Sequence, residues 1–305
     1  MKKVFQCLAI LAFLPWSWLN AQTADTTYWQ RSFSGAINFN QASFSNWAGG
    51  GVNSTAFGTI ILGRALYKKD KTSWDNTMDV QLGFQKQQGV PDWRKASDQI
   101  LLNSVAGYKI SSKWDLCFSG TFTSFLAAGY KYGGAYNPVG TSFKVAEFFS
   151  PAQLTLGWGV AYKPNDWFAL RLSPFAPRFT FLANDELRFR EDNGVLIRDK
   201  NAKTYGVEAG KSTYAEWLAL QVQATVNRNI TKNISLKAEY FGFLNYQKPL
   251  NEIDHRLNLL VAATITKYIS ATFGLTMLYD KDLNENLQIQ QNIGVGFLYS
   301  ASTFK

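Results

Sequence analysis

The sequence predicts an all-β fold, a transmembrane antiparallel barrel of about twelve strands. Three observations predict this fold. Apolar and polar side chains alternate with a period of two over most of the chain. The alternating segments are longer than the roughly five to six residues usual for strands of soluble proteins. The connections between them are alternately short and long, which is typical of bacterial outer-membrane barrels.

The composition agrees with a protein whose outer surface faces lipid. Of the 305 residues, 46% are hydrophobic, 15% are aromatic and only 17% are charged. Soluble domains usually carry about 25% charged residues, because their whole exterior is hydrated. No run of about 18 apolar residues follows the first twenty positions, which argues against a helical membrane protein.

The N-terminus has the pattern of an export signal. Lys2 and Lys3 precede an apolar run over residues 4–14, and Pro15 follows it. Cleavage is expected after Ala21, so residues 1–21 are predicted to be a cleaved signal peptide and residues 22–305 the barrel domain. The mature chain then keeps a single cysteine, Cys117, and no internal disulfide is expected.

The segment from Trp74 to Gln85 shows the alternation most clearly. Its apolar residues are all even-numbered, Trp74, Met78, Val80, Leu82 and Phe84, and the opposite face carries Asp75, Thr77, Asp79, Gln81 and Gln85. Twelve strands follow from segments of this kind, and we predict them near residues 31–43, 52–67, 72–86, 97–110, 113–126, 152–163, 166–182, 214–229, 232–245, 254–267, 269–280 and 286–300. Because every second connection is short, the short turns are assigned to the periplasmic rim and both termini fall on that side.

Aromatic residues mark the rim. Trp114, Trp167 and Tyr268 each open a strand just after a short turn. An amphipathic ring at this position can lie at the level of the lipid head groups. We therefore predict that these three side chains belong to an aromatic girdle.

Two of the longer connections are distinctive. Residues 183–213 form the most charged part of the chain and predict a solvated extracellular loop, with a hairpin turning at Asp192-Asn193-Gly194. The first long loop contains a tryptophan followed by a glycine triplet, which permits a tight and unusual backbone path. Either a folded loop or an inward plug is compatible with this motif, which comprises Asn46, Trp47, Gly49, Gly50 and Gly51.

Several polar side chains are predicted to line the lumen. They share the polar face of their strands, and they are Asp75, Asp79, Gln81, Asp115, Arg171, Lys237 and Glu239. One interpretation is that they hydrate the lumen and pair with one another across strands. The other is that they form a specific path for a solute. Both interpretations place them inside the barrel.

The sequence argues against an enzyme and against nucleic-acid binding. An outer-membrane phospholipase needs a histidine base beside a serine, but the mature chain has only His255, with no serine at a neighbouring inward position. Neither a Gly-x-Ser-x-Gly nor a His-Glu-x-x-His motif occurs, and we expect no metal and no cofactor. The net charge is +9, or +7 without the signal segment, and its dispersal fits anionic lipid head groups better than nucleic acid.

One family resemblance follows from the first loop. The run FNQASFSNWAGGG over residues 39–51 resembles the N-terminal signature of a Bacteroidota outer-membrane protein family known only as domain of unknown function 3078. The segments Asn20-Ala21-Gln22 and Trp74-Asp75-Asn76 are also similar to that family. The resemblance implies an outer-membrane barrel, and it transfers no functional residues.

These observations predict an integral protein of the outer membrane in contact with its lipid. We expect a narrow channel or transporter for small solutes. The alternative is a non-transporting scaffold or accessory subunit that binds other envelope proteins. The oligomeric state stays open at this point, and both a monomer and a complex-associated barrel fit.

Overall fold

The computed structural model describes residues 28–43, 52–132, 142–192, 195–266, 268–282 and 284–304. The predicted signal peptide and the whole first-loop motif, Asn46 to Gly51, lie outside the described residues. Both therefore stay predictions.

Twelve long strands form a closed antiparallel ring. The ring strands are β1 (Trp29–Ala42), β2 (Ser54–Lys69), β3 (Thr72–Gln87), β4 (Arg94–Lys109), β5 (Trp114–Ser124), β8 (Ala152–Asn165), β9 (Phe168–Phe175), β14 (Ala219–Asn229), β15 (Ile234–Asn245), β16 (Asp254–Thr264), β17 (Ile269–Asp280) and β18 (Asn284–Ser302). They follow one another around the ring in this order, and β18 pairs with β1. The predicted fold class is confirmed.

Two predicted strands are interrupted in the structure. The strand expected over 166–182 is β9 followed by β10 (Arg178–Phe181), and the strand expected over 214–229 is β13 (Thr213–Glu216) followed by β14. Pro177 separates β9 from β10, and a proline has no N–H to donate to a ladder. The two short strands pair with each other and extend the barrel wall above the ring, where β10 also pairs with β8.

The short connections are closed by polar side chains. Asn165, Thr231 and Thr266 each accept hydrogen bonds from backbone N–H groups two and three residues later. Between β2 and β3, Asp70 adopts a φ of 51°, a conformation that aspartate tolerates better than most residues. These turns lie at one rim, which confirms the predicted division into short turns and longer loops.

Burial in this molecule is inverted relative to a soluble protein. Asp79, Asn103, Gln223 and Glu239 are among the buried side chains, whereas Phe297 on β18 is 72% exposed. The two faces of each ring strand therefore differ as predicted, with polar groups toward the lumen and apolar groups toward the outside. This is the pattern of a barrel that stands in lipid.

The longer connections on the other rim carry structure of their own. A hairpin missed by the sequence analysis, β6 (Gly129–Tyr132) with β7 (Ser142–Ala146), follows β5. The hairpin predicted in the charged segment is present as β11 (Phe189–Asp192) and β12 (Val195–Arg198), although its turn at residues 193–194 is not described. Within the described ranges, no helix is long and apolar enough to cross a bilayer.

The charged segment is more than a solvated loop, which corrects the prediction. Leu182, Leu187 and Val207 are fully buried together. The side chain of Arg188 is also fully buried, and its guanidinium donates to Asp185 and to the backbone carbonyl groups of residues 202, 207 and 211. A buried arginine is tolerated here because its donors meet acceptors.

Candidate functional site: the lumen of the barrel

The rims are named by their predicted orientation, periplasmic for the rim with the short turns and extracellular for the other. The periplasmic end of the lumen contains ion pairs between neighbouring strands. Arg64 on β2 holds Asp75 on β3 through two hydrogen bonds of 2.9 and 2.7 Å. Lys163 on β8 lies 2.8 Å from Asp115 on β5. Two of the predicted lumen residues therefore pair locally with the strand beside them.

The middle of the lumen is crossed by an ion pair. Lys237 on β15 lies 3.5 Å from Asp79 on β3 and 3.5 Å from Glu239 on its own strand. Gln81 donates to Asp79 over 3.2 Å. The path from β3 to β15 runs through β2, β1, β18, β17 and β16, so the two strands are six steps apart in a ring of twelve. A contact between opposite walls can be made only through the interior.

A second contact crosses the lumen nearer the extracellular rim. Arg256 on β16 donates from Nη2 to Oε1 of Gln99 on β4 over 2.6 Å. β4 and β16 are also six steps apart around the ring. Two levels of the lumen are therefore bridged across its diameter by charged or polar side chains.

One interpretation of the sequence predicts that Arg171 pairs with a charged residue across strands, and the structure gives it a different partner. Its Nη1 donates to Oε1 of Gln223 over 2.5 Å, and among the described residues it forms no ion pair with a carboxylate. Of the predicted lumen residues, the structure thus brings together Asp79, Gln81, Lys237 and Glu239. Asp75, Asp115 and Arg171 contact other partners.

Above the crossing contacts the lumen widens into a cavity of about 140 Å³. Its wall combines aromatic and apolar side chains with charged ones, since Phe125, Phe241 and Phe243 lie beside Arg178 and Arg256. Arg178, Asp254 and Asp280 lie at strand ends near the extracellular rim, which places the cavity in that half of the barrel.

Arg178 organises the upper wall of the cavity. Its Nη1 bonds to Asp254 and lies 3.9 Å from Glu216 and 4.0 Å from Asp280. The guanidinium also stacks on the ring of Phe243, 3.3 Å from its centroid. One buried cation is therefore shared by three carboxylates.

Lys248, in the connection after β15, supports this group from outside. It lies 3.2 Å from Glu216 and 2.6 Å from Asp282. Burial alone would lower the pKa of Lys248, but the hydrogen bond to Asp282 and the charge of Glu216 raise it above its usual value. The lysine is therefore cationic at any physiological pH.

The predicted girdle residues lie at the periplasmic rim. Trp114 begins β5 and packs on Tyr162 at 4.9 Å between ring centroids. Arg228 lies over the ring of Trp167 at 5.1 Å. Trp114, Trp167 and Tyr268 are all exposed. Their place in an aromatic girdle at the lipid head groups stays a prediction.

Sequence reasoning missed most of the cavity wall. Gln99, Arg178, Gln221, Asp254 and Arg256 were not singled out, although Asp254 and Arg256 share the inward face of one strand. Period-two alternation could have placed these side chains inside. It could not have indicated that β4 faces β16.

The described part of the chain offers no candidate metal site. The described residues contain no group of three or more His, Cys, Asp or Glu that could hold a metal ion. His255 is exposed, and its Nδ1 lies 2.7 Å from the hydroxyl of Tyr240.

The family described as "Protein of unknown function (DUF3078)" matches residues 39–130, from β1 to β6. This match confirms the resemblance noted in the sequence over that segment. The assignment to Bacteroidota stays a prediction. No curated protein matches the sequence at a significant level.

Solved structures of outer-membrane barrels are similar at a low level. An outer-membrane channel from Pseudomonas putida F1 is 10% identical with a TM-score of 0.38, over 93% of this chain and 98% of that one. The translocator domain of the autotransporter NalP from Neisseria meningitidis is 10% identical with a TM-score of 0.36, over 99% and 96%. The toluene transporter TbuX from Ralstonia pickettii is 10% identical with a TM-score of 0.29, over 89% of each chain. These values are too low for any property of the three proteins to be transferred.

Proposed function

We propose that this chain is an outer-membrane channel that passes small solutes through a narrow, polar lumen. The observation that supports the proposal most is the pair of contacts across the diameter, Lys237–Asp79 and Arg256–Gln99, below a cavity near the extracellular rim. A barrel of about twelve strands has a lumen between the filled interior of an eight-stranded barrel and a porin channel. Side chains that cross such a lumen set the size of what passes.

The proposal includes export to the outer membrane. It is supported by the basic and apolar N-terminal segment and by the apolar exterior of the ring strands. The partners it requires are lipids, and it involves no catalytic step.

The crossing contacts explain how such a channel selects its solutes. Charged side chains bridging the lumen hold water and polar solutes, whereas an apolar molecule would have to displace them without replacing their hydrogen bonds. The middle of the lumen carries charges of both signs, because Lys237 faces Asp79 and Glu239 and the buried Arg171 and Arg256 also lie within electrostatic reach of Glu239. We therefore expect passage of small polar solutes.

Conductance in planar lipid bilayers tests the proposal. The wild type should give small steps proportional to salt concentration. The double variant Lys237→Ala/Asp79→Ala should give larger steps, because the side chains that span the diameter are shortened. The matched control is Lys163→Ala/Asp115→Ala, which removes a pair between neighbouring strands and should leave the step size closer to the wild type. Silence of all three correctly folded proteins would contradict the channel.

A second candidate, a non-transporting scaffold of a cell-envelope complex, is favoured by the extracellular connections. The two hairpins are joined to each other, since Tyr205 donates to the carbonyl of Val145 over 2.7 Å and Phe143 packs edge-on against Phe189. A folded surface of this kind can bind another envelope protein. A partner that co-purifies after gentle detergent extraction, together with a silent barrel, would support this alternative over the channel.

A further inference from the structure

The cavity near the extracellular rim has two levels that differ in charge. Across the strand ladder, Gln221 lies opposite Phe243, and Phe243 lies opposite Asp254. One inward position closer to the periplasm, Arg256 lies opposite Phe241. Successive inward positions of a strand are about 6.8 Å apart, which is the spacing of the two levels.

The lower level presents unused hydrogen-bond donors. Among the described residues, Arg256 forms no ion pair with a carboxylate and donates only to Gln99 and Asn258. Because Oε1 of Gln99 accepts from Arg256, its Nε2 points elsewhere, and that donor has no partner although Gln99 is only 8% exposed. A guanidinium beside a free amide N–H is a donor set that a carboxylate completes.

The upper level presents acceptors. Oε1 of Gln221 has no partner although this side chain is only 5% exposed. Asp254 lies at the same level and has to share Arg178 with other carboxylates. Acceptors in excess of cations suit an ammonium group, which brings three donors and one positive charge.

Between the charged groups the wall is apolar. Phe125, Phe241, Phe243 and Leu101 line the cavity. Its volume of about 140 Å³ accommodates on the order of ten water molecules at the 10–15 Å³ that each requires, and therefore a molecule of amino-acid size. An aliphatic or aromatic body would pack against these rings.

We propose that this cavity binds a small zwitterion with an apolar side chain, its carboxylate on Arg256 and Gln99 and its ammonium on Gln221 and Asp254. A free amino acid carries both charged groups on one carbon. Hydrogen bonds of about 2.8 Å at each end extend its reach to the spacing of the two levels. The inference deepens the proposed channel function, on which it rests, by naming the class of solute that enters first.

Isothermal titration calorimetry on the full-length barrel in detergent tests this site. L-phenylalanine is the probe. It should bind saturably with one site per barrel. Two analogues separate its ends: 3-phenylpropionate lacks the ammonium and 2-phenylethylamine lacks the carboxylate. Each should bind at least tenfold more weakly.

Variants test which residues bind the carboxylate and which bind the ammonium of L-phenylalanine. Arg256→Gln should weaken L-phenylalanine binding at least tenfold, and Arg256→Lys should recover part of it. Gln221→Met, which keeps the volume and removes the acceptor, should weaken it severalfold. The control Arg228→Gln changes an exposed arginine at a periplasmic turn and should bind like the wild type. Heat-modifiable electrophoretic mobility verifies that each variant is folded.

Three results would overturn the inference: no saturable binding to the folded wild type, equal binding of all three probes, or wild-type affinity in both folded site variants. Calorimetry measures binding and requires no flux. A barrel that binds L-phenylalanine and is silent in bilayers would keep the site and refute the channel. A barrel that conducts but does not bind L-phenylalanine would refute the site and keep the channel.

Discussion

Close backbone contacts and buried charges each restrict single positions in this barrel. At Gly159, an added Cβ would lie 1.9 Å from the carbonyl oxygen of Leu172 and 2.7 Å from Cα of Ser173. This is where the pairing of β8 with β9 changes register. Glycine is needed there because the two backbones approach too closely for any side chain.

Gly159→Ala should therefore destabilise the barrel by about 1–3 kcal/mol, the usual cost of overpacking. The midpoint of urea unfolding, followed by the fraction that migrates as the folded band, measures the effect. Gly120→Ala is the control, since its new Cβ would meet only Cδ2 of Leu156 at an ordinary 3.6 Å. Equal midpoints for the two variants would show that β8 and β9 are further apart than described.

Arg188 gives a second prediction at this scale. Arg188→Met leaves several carbonyl acceptors in the extracellular segment without a donor, and each buried unsatisfied group costs about 1–3 kcal/mol. The segment over residues 182–212 should then be cut rapidly by protease while the ring strands stay intact. Arg190→Met, at a half-exposed ion pair, should change cleavage little. Similar cleavage of both variants would contradict the buried role of Arg188.

At the scale of the structural elements, the hairpins at the extracellular rim depend on contacts that the sequence pattern does not predict. Tyr205, which follows the second hairpin in the chain, links them, because its hydroxyl donates to the carbonyl of Val145 in β7 and its ring packs edge-on against Phe189 in β11. Burial raises the pKa of Tyr205 far above the usual value of about 10, since the phenolate would lose its hydration.

A pH dependence follows from this shift. A raised pKa in the folded state means that the stabilisation is complete below pH about 10 and is lost as the pH rises beyond it. Protease resistance of the extracellular hairpins should therefore be constant up to about pH 9 and fall above pH 10. The Tyr205→Phe variant should have a lower protease resistance at neutral pH, because it lacks the hydrogen bond to Val145. It should lose less of that resistance at alkaline pH. An unchanged alkaline loss in Tyr205→Phe would mean that another group titrates.

The strands themselves could be predicted because one rule governs them. Every ring strand separates lipid from lumen, so its side chains alternate, and Trp74 to Gln85 shows this without any structure. The charged segment over residues 183–213 does not follow this rule. Leu182, Leu187 and Val207 are too far apart in sequence to form a period, and nothing marks Arg188 as different from Arg190 beforehand.

At the scale of the whole molecule, ring closure decides which residues form the site. Asp79, Lys237 and Glu239 were predicted to face inward, but their meeting depends on β3 and β15 being opposite. That relation follows from the number of strands and from the pairing of β1 with β18, which are properties of the complete ring. The cavity above them was missed for the same reason, since its wall comes from strands far apart in sequence.

The central claim is that the barrel presents apolar side chains to lipid and polar side chains to an enclosed lumen. A nitroxide scan of β5 (Trp114–Ser124) in lipid bilayers, with Cys117→Ser as background, tests it most directly. Collisions with oxygen, which concentrates in lipid, should be maximal at positions 114, 116, 118 and 122. Collisions with a water-soluble nickel chelate should be more frequent at the odd positions than at these even positions. A period near 3.6, or equal accessibility to the chelate on both faces, would contradict the account.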